Sequence, residues 1–465
     1  MKKINLGQKE LIHFVGIGGS GMSGIAELMF NLNYRVSGSD VIDGLATQRL
    51  RKIGVEVFIG HDKEHIAGAD AVVISSAVSK KNPEIIAARC AGVPVVPRAL
   101  MLVELMRLRQ GIAVAGTHGK TTTTSLVANI LQEAGLDPTV INGGVINSIK
   151  NTAQLGKGDW AVIESDESDG SFLKLPINYS IVTNIDYEHI DYYKNYKNLE
   201  NSFLKFINKT PPTGKAIICL DNNNIKKILP KIKNKNIILY GESKNADYII
   251  EKIKYKFDST SFDLCFKDKD KRKRKIKNIN VKLLGRHNVL NAAAAFIVCI
   301  NLGANINTAK KSLKEFSGVQ RRMTKVFSKN KNDFYDDYAH HPTEIKSILE
   351  GVNNVNSKRK IVSIFEPHRY SRVASLKKEF SKCFSKSNVV IISPLYPAGE
   401  KKDTKYSLIK FAKLISKNSK TQVILVKNEK ELSNYLKKNL ISNEIVIGMG
   451  AGSISKWMTQ LKFSL

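Results

Sequence analysis

Short apolar, β-branched runs alternate with amphipathic stretches along most of the chain. LIHFV (residues 11–15), YRVSGSD (34–40), VEVFIG (55–60) and AVVISSAV (71–78) are bounded by Gly, Asp or Ser, as strands are. Between them Ile25, Leu28, Met29 and Leu32 recur at i, i+3, i+4 and i+7, which predicts a helix with one apolar face. The pattern then starts afresh. GIAVAG (111–116) precedes a helix that places Val127, Ile130, Leu131 and Ala134 on one side, and WAVIESD, YSIVTNID, KAIICLD and NIILYG continue the alternation. Near 247–283 the spacing becomes hairpin-like, GRHNVLNAAAAFIVCINLG reads as a closing helix, and LKEFSGVQRRM as a crossing segment. From about 333 a further set of strands follows: KIVSIFE, NVVIIS, QVILVK and EIVIGMG. Strands alternating with helices imply parallel, doubly wound sheets. The expected architecture is therefore α/β, three domains in series: 1–108, 109–317 and 318–465. No internal repeat of solenoid length is visible.

Composition changes this picture little. At 465 residues, 42% of them hydrophobic, the chain is globular and too long for one ordinary core. No apolar stretch approaches the roughly 18 residues of a membrane helix, and the opening MKKINLGQKELIHFVG has no secretory pattern, so a cytoplasmic protein is expected. Five cysteines lie singly, without metal-site spacing. The net charge of +31 raises nucleic-acid binding as a class, but the lysines accompany abundant Asn and Ile throughout, as a compositional bias would produce, and no RNA- or DNA-binding signature appears. The basic run 267–277 reads as a solvated hairpin tip.

Four places carry chemistry. Gly16-Ile17-Gly18-Gly19-Ser20-Gly21 is a G-x-G-x-x-G between a strand and a helix, and Asp40 ends the next strand. Glycines there allow backbone N–H groups to approach a diphosphate at the helix N-terminus. The motif does not separate NAD from a UDP-sugar. Gly116-Thr117-His118-Gly119-Lys120-Thr121-Thr122 follows GIAVAG and opens a helix. Such a loop cradles the phosphates of ATP, with a lysine at the transferred group and a hydroxyl on Mg²⁺. Val114 stands where the usual pattern has its first glycine. Two acidic clusters end strands of the same sheet: Glu164, Asp166, Glu167 and Asp169, then Asp186, Glu188 and His189. Carboxylate oxygens suit Mg²⁺, although acidic residues at strand ends also serve as plain helix caps. In the last domain DDYAHHP (336–342) and EPHRYSR (366–372) gather three histidines and two arginines, a set suited to binding a carboxylate or phosphate.

Taken together and in order, GIGGSGMSGIAE, GTHGKTTTT, ESDESDGSF, TNID-x-x-H, GRHNVLNAAAA, QRRM, DDYAHHPTE and EPHRYSR resemble the Mur ligases, the cytoplasmic amide ligases of peptidoglycan synthesis. The resemblance runs from about residue 11 to 455. Within the family it is nearest to the branch that joins L-alanine to UDP-N-acetylmuramate. It implies an N-terminal Rossmann-like UDP-binding domain, a central P-loop-type ATPase and a C-terminal Rossmann-like domain for the amino acid. By motif position, Lys120 corresponds to the phosphate-loop lysine. Thr121, Glu164 and His189 correspond to the metal positions, with Lys120, Glu164 and His189 the catalytic set. Asn288, Asn291, Arg322 and Asp337 join residues 116–122 at ATP. Gly16, Gly18, Gly19, Ser20, Gly21 and Asp40 serve the UDP-sugar, and Tyr338, His340, His368, Arg369 and Arg372 the amino acid. The lysine that some relatives carbamoylate falls near Leu204 here, so that modification is not expected. The reaction implied passes through an acyl phosphate. A dehydrogenase would use the first glycine loop but leave the second idle, and a basic nucleic-acid-binding ATPase would use only the charge.

Overall fold

The structure, a computed structural model, describes residues 10–465 except 76, 107–108, 150, 257–258, 269 and 357. The expected boundary at 108 lies outside the described residues. Three sheets organise the chain, and the α/β expectation of three domains in series is borne out.

The first sheet contains β1 (Leu11–Val15), β2 (Arg35–Asp40), β3 (Glu56–Ile59), β4 (Ala71–Ile74) and β5 (Val95–Pro97), in the order β3-β2-β1-β4-β5. Every pairing in it is parallel. Chain direction across the sheet reverses between β1 and β4, so a crevice opens beyond the carboxyl ends of those strands. The amphipathic pattern at Ile25, Leu28 and Met29 does form a helix, Ser20–Asn31, and all three side chains are buried. Ile25 and Met29 pack with Ile12, Phe14, Val73 and Met101.

The second sheet contains β6 (Gln110–Ala115), β7 (Thr139–Ile146), β8 (Asn151–Gln154), β9 (Trp160–Glu164), β10 (Tyr179–Val182), β11 (Ala216–Cys219), β12 (Ile237–Gly241), β13 (Tyr248–Tyr255), β14 (Thr260–Lys267) and β15 (Lys273–Val281). Its order is β15-β14-β13-β12-β11-β10-β6-β9-β7-β8. β6 lies between β10 and β9, parallel to both, so the loops after these three strands open on one edge. The sequence pattern missed the β7–β8 hairpin, whose strands are antiparallel around a register shift between Ile141 and Ile146. The basic run divides rather than forming only a tip: Lys267 ends β14, and Lys273 and Arg274 are exposed on β15, the edge of the sheet. Positive charge on an edge strand discourages edge-to-edge pairing with another chain.

The third sheet contains β16 (Thr324–Lys329), β17 (Asn332–Asp337), β18 (Ile361–Phe365), β19 (Val389–Ile392), β20 (Gln422–Leu425) and β21 (Ile445–Met449), in the order β16-β17-β21-β18-β19-β20. Only β16 and β17 pair antiparallel. β18 and β21 are buried along their whole length, because helices cover both faces.

The chain divides into two compact units. One holds residues 1–252, 262–279 and 290–317; the other holds 253–261, 280–289 and 318–465. Among the described residues no helix is long and apolar enough to cross a membrane.

Candidate active site

At the end of β6 the backbone turns through Gly116 (φ +136°) and reaches helix Lys120–Glu133 by way of Gly119 (φ +82°). Both glycines are required. A side chain at Gly116 would strike the Thr183 hydroxyl, and a Cβ at Gly119 would lie 2.6 Å from Asn291 Oδ1. The loop is pinned from β10: His118 N–H donates to Asn184 Oδ1 (2.8 Å), while Asn184 Nδ2 and Thr183 Oγ1 donate to His118 O (2.9 and 2.7 Å). Thr117 Oγ1 accepts from Asp186 N–H (2.9 Å), and His118 Nε2 lies 3.2 Å from Asp186 Oδ2. Thr121 and Thr122, at the helix start, are nearly buried.

Lys120 lies across this loop. Its ammonium donates to Gly116 O (2.7 Å), Thr117 O (3.3 Å) and Glu167 Oε1 (2.8 Å). Burial alone would push the lysine down. The carboxylates of Glu167, Asp166 and Glu164 outweigh it and hold the group above its ordinary value, so it stays charged. Burial pushes Glu167 upward against the pull of Lys120 and His189, whereas Lys120, Ser168 and Arg98 overcome burial at Asp166 and bring it to about 2.

Thr121 Oγ1 donates to Glu164 Oε1 at 3.1 Å, and Glu164 Oε2 accepts from Gly143 N–H at 2.6 Å. A hydroxyl and a carboxylate side by side form a hard-oxygen pair suited to Mg²⁺. His189, also expected at a metal position, faces Glu167 with Nε2 3.8 Å from Oε1. It adopts φ +56°, a conformation uncommon for a side-chain-bearing residue. Asn291 contacts the loop at Gly119. Asn288, in helix Arg286–Asn301, donates Nδ2 to Leu284 O (2.7 Å), just before that helix begins.

Two charged groups near these residues carry no distinguishing mark in the sequence. Glu167 is one acid among four in ESDESD, and only the fold shows that it is the one facing Lys120. Arg98 follows β5 without any motif, yet its Nη2 meets Asp166 Oδ2 at 3.3 Å and its guanidinium lies against Gly21, where a side chain would collide with it.

In the first domain Gly16 turns at φ +79°, and Gly18 N–H donates to Asp40 Oδ2 (2.8 Å). Asp40 Oδ1 accepts from Ile42 N–H (3.1 Å), so this carboxylate shapes the loop with both oxygens. Ser20 opens the helix; its side chain lies outside what is described. Beside the loop is a cavity of about 500 Å³ whose walls include Gly16, Gly19, Asp40, His61, Lys81 and Asn82. Helices Ser20–Asn31 and Pro83–Cys90 both begin at it, which favours an anionic ligand. Beneath it Glu84, with no exposed surface, accepts from Ser39 Oγ (2.7 Å) and meets His61 and His65 at 2.9 Å and His13 at 3.5 Å. Burial opposes ionisation there, but hydrogen bonds from His13, Ser39 and His65 win and bring Glu84 to about 2. The histidines that form this cluster come from separate elements, so no sequence motif announced it.

In the third domain Asp337, at the end of β17, accepts from Met323 N–H (2.7 Å) and Ala339 N–H (2.8 Å). Burial pushes it up to about 6 despite Arg322 nearby. Both of its oxygens tie the QRRM turn to the DDYAHHP turn. Arg322 lies 3.8 Å from Glu344 and over the Tyr338 ring. His340 Nδ1 is 2.9 Å from Tyr338 O, and its ring meets His368 edge-on at 5.5 Å. Arg372 Nη1 is 2.8 Å from His368 Nδ1. Tyr338, His340, His368 and Arg372 are thus brought together at the carboxyl ends of β17 and β18, with Arg369 next in the chain to His368.

Three comparisons bear on this geometry. Residues 11–110 match the model described as Mur ligase family, catalytic domain; 114–299 match the Mur ligase middle domain; and 321–452 match the Mur ligase, glutamate ligase domain. The chain is similar to UDP-N-acetylmuramate–L-alanine ligase of Pelagibacter ubique, with 48% identity over 99% of both chains, and to the same-named enzyme of Rhodopseudomonas palustris, with 42% identity over 96% of both. Among solved structures, UDP-N-acetylmuramate-alanine ligase of Thermotoga maritima superposes with a TM-score of 0.82 at 29% identity, covering 97% of this chain and 98% of the other. A murein peptide ligase of Psychrobacter arcticus shares the fold, with a TM-score of 0.71 at 24% identity over 98% of both chains. With its three segments matched in order and a relative at nearly half identity end to end, the chain belongs to the Mur ligase family.

Proposed function

We propose that this protein is an ATP-dependent ligase that joins L-alanine to the lactyl carboxylate of UDP-N-acetylmuramate in peptidoglycan precursor synthesis. The observation that carries the chemistry is the group after β6 and β9: a charged lysine inside a backbone loop, with the Thr121–Glu164 pair beside it. The names of the relatives supply the substrates. In this reading residues 1–108 hold the UDP-sugar, 109–317 hold ATP, and 318–465 present the amino acid, in the cytoplasm.

A lactyl carboxylate oxygen attacks the γ-phosphorus, and the bond from that phosphorus to the β-bridging oxygen breaks to release ADP. Lys120 exchanges the Gly116 and Thr117 carbonyls for phosphate oxygens and neutralises the charge that builds there. Thr121 and Glu164, with His189, would hold Mg²⁺, which supplies Lewis-acid stabilisation of the phosphoryl oxygens. The alanine amine then attacks the acyl carbon, the carbon–oxygen bond to phosphate breaks, and phosphate leaves with the electron pair while the amine loses its proton. Arg369 and Arg372 hold the alanine carboxylate away from the acyl phosphate. The first-domain cavity, with two helix starts and Lys81, receives the diphosphate.

ADP release with ATP, UDP-N-acetylmuramate and a panel of amino acids and peptides tests this. L-alanine is expected to drive release, and without an amine ADP release is expected to stay at a slow background rate. Preference for a tripeptide would move the chain to a peptide-adding branch, and release unaffected by the UDP-sugar would refute the reading.

A further inference from the structure

We propose that Glu366 is a positioning residue for the amino-acid site, acting through a clamp on the backbone of Arg369; the inference rests on the function proposed above. Glu366 follows β18 and is almost fully buried. Its carboxylate accepts three hydrogen bonds from the start of helix Ile454–Ser464: Ser453 N–H (3.1 Å), Ser453 Oγ–H (2.5 Å) and Ile454 N–H (3.3 Å). The segment Gly448-Met449-Gly450-Ala451-Gly452-Ser453 joins a strand to a helix, the form that elsewhere binds phosphate. Here the chain's own carboxylate takes the place of that anion, so the loop serves as an anchor.

The anchor grips from two sides. Glu366 N–H donates to Met449 O (2.9 Å), and Gly450 (φ +159°) has no room for a side chain, its Cβ position being 2.9 Å from Glu366 Cβ. A Cβ at Gly452 would lie 2.5 Å from both Glu366 Oε2 and Tyr396 Cγ. Tyr396 holds the other side: its N–H donates to Pro367 O (2.8 Å), its O accepts from Arg369 N–H (2.9 Å), and its ring stacks on His368 at 5.6 Å.

Residues 366–369 therefore have little freedom, and Arg369 is forced to φ +64°, ψ 132°. A residue with a Cβ keeps such a backbone only where its surroundings impose it, and such residues cluster at functional sites. Arg369 Nε is buried with no hydrogen-bond partner among the described residues, as expected of a guanidinium awaiting an anionic ligand. The same turn starts the helix that carries Arg372 to His368. Loosening Glu366 lets Arg369 relax to negative φ and swing its guanidinium out of aim.

Glu366→Gln turns an acceptor oxygen into an NH₂ that faces backbone donors, and Gly452→Ala opens the clamp from the opposite wall, its new Cβ crowding Glu366 Oε2 and the Tyr396 ring while the carboxylate keeps its charge and its acceptor oxygens. For the full chain, the KM values of L-alanine, ATP and UDP-N-acetylmuramate are measured by ADP release, alongside Tm. In both variants the KM for L-alanine is expected to rise roughly 10-fold or more, the scale of one charged hydrogen bond, with the other two KM values within about 2-fold of wild type. Glu366→Asp, which keeps the charge, is expected to recover part of the loss. If Glu366→Gln does not fold, Gly452→Ala decides. An unchanged KM for L-alanine, or a parallel rise in all three KM values that follows the fall in Tm, overturns the inference and leaves the functional reading standing. A wild-type enzyme that responds to no amino acid overturns both.

Discussion

Replacing Lys120 by Met separates what this side chain does for the reaction from what it does for the fold. Its ammonium is 2.8 Å from Glu167 Oε1, and Glu167 is 1% exposed with Oε2 lacking a partner among the described residues. Deleting the cation strands a buried carboxylate, which costs about 3–5 kcal/mol when the charge persists. Burial already pushes Glu167 upward, so the stranded group will partly escape by taking a proton. A carboxyl raised in the folded state weakens stability as pH rises past its unfolded value, so the deficit in Lys120→Met should be largest above neutrality and shrink toward pH 5. In thermal unfolding at pH 7.5 the deficit corresponds to a Tm drop on the order of 10 °C. Adding Glu167→Gln removes the stranded charge and should recover most of that drop. The kinetic loss is separate. Lys120 acts where charge develops, so ADP release should fall by about 10³-fold or more, equivalent to about 4 kcal/mol of barrier, and the second substitution should recover none of it. Lys120→Met retaining a tenth of the activity would refute the phosphate-loop assignment. A double variant no more stable than the single would refute the stranded-charge argument.

Glu164→Gln and His189→Ala should each raise the Mg²⁺ concentration needed for half-maximal ADP release, with partial rescue by excess metal; unchanged titrations in both would reduce these residues to loop supports. Gly18→Ala puts a Cβ 2.9 Å from Asp40 Oδ2 and 3.0 Å from Thr47 Cγ2, so the loop must shift; calorimetry should show UDP-N-acetylmuramate binding weakened by roughly 10-fold, while NAD should give no heat with either protein. NAD binding to the wild type would restore the dehydrogenase reading. Glu84 has a folded value of about 2 against 4.5, so its stabilisation is present above pH 4.5 and lost as pH falls toward 2. The shift corresponds to at most about 3 kcal/mol, and to about 2 once solvent at His61 and His65 is allowed for. Urea unfolding of wild type and Glu84→Gln should show a stability gap at pH 7 that narrows at pH 3.5, and a gap independent of pH would exclude the ionised cluster.

Features set by local chemistry were legible without a structure. A strand announces itself by a β-branched run, an amphipathic helix by spacing such as Ile25, Leu28 and Met29, and a phosphate loop by the glycines that its backbone demands. Thus Gly16, Gly116, Gly119 and Lys120 were found at once, and Gly116 and Gly119 do occupy positive-φ positions that bar a side chain. The β7–β8 and β16–β17 pairings were not found, because a hairpin with a register shift departs from strict alternation in each case. Which acid does what was also beyond sequence. Glu164 and Glu167 are three residues apart in one run, and only the pairing of β9 with β6 puts the first against Thr121 and the second against Lys120. Glu84 draws in His13, Ser39, His61 and His65 from separate elements; Arg98 meets Asp166 across 68 positions; and Glu366 reaches Ser453 across 87. A side chain's role at such places depends on which charges and donors surround it in a dry interior, and folding alone brings those neighbours together.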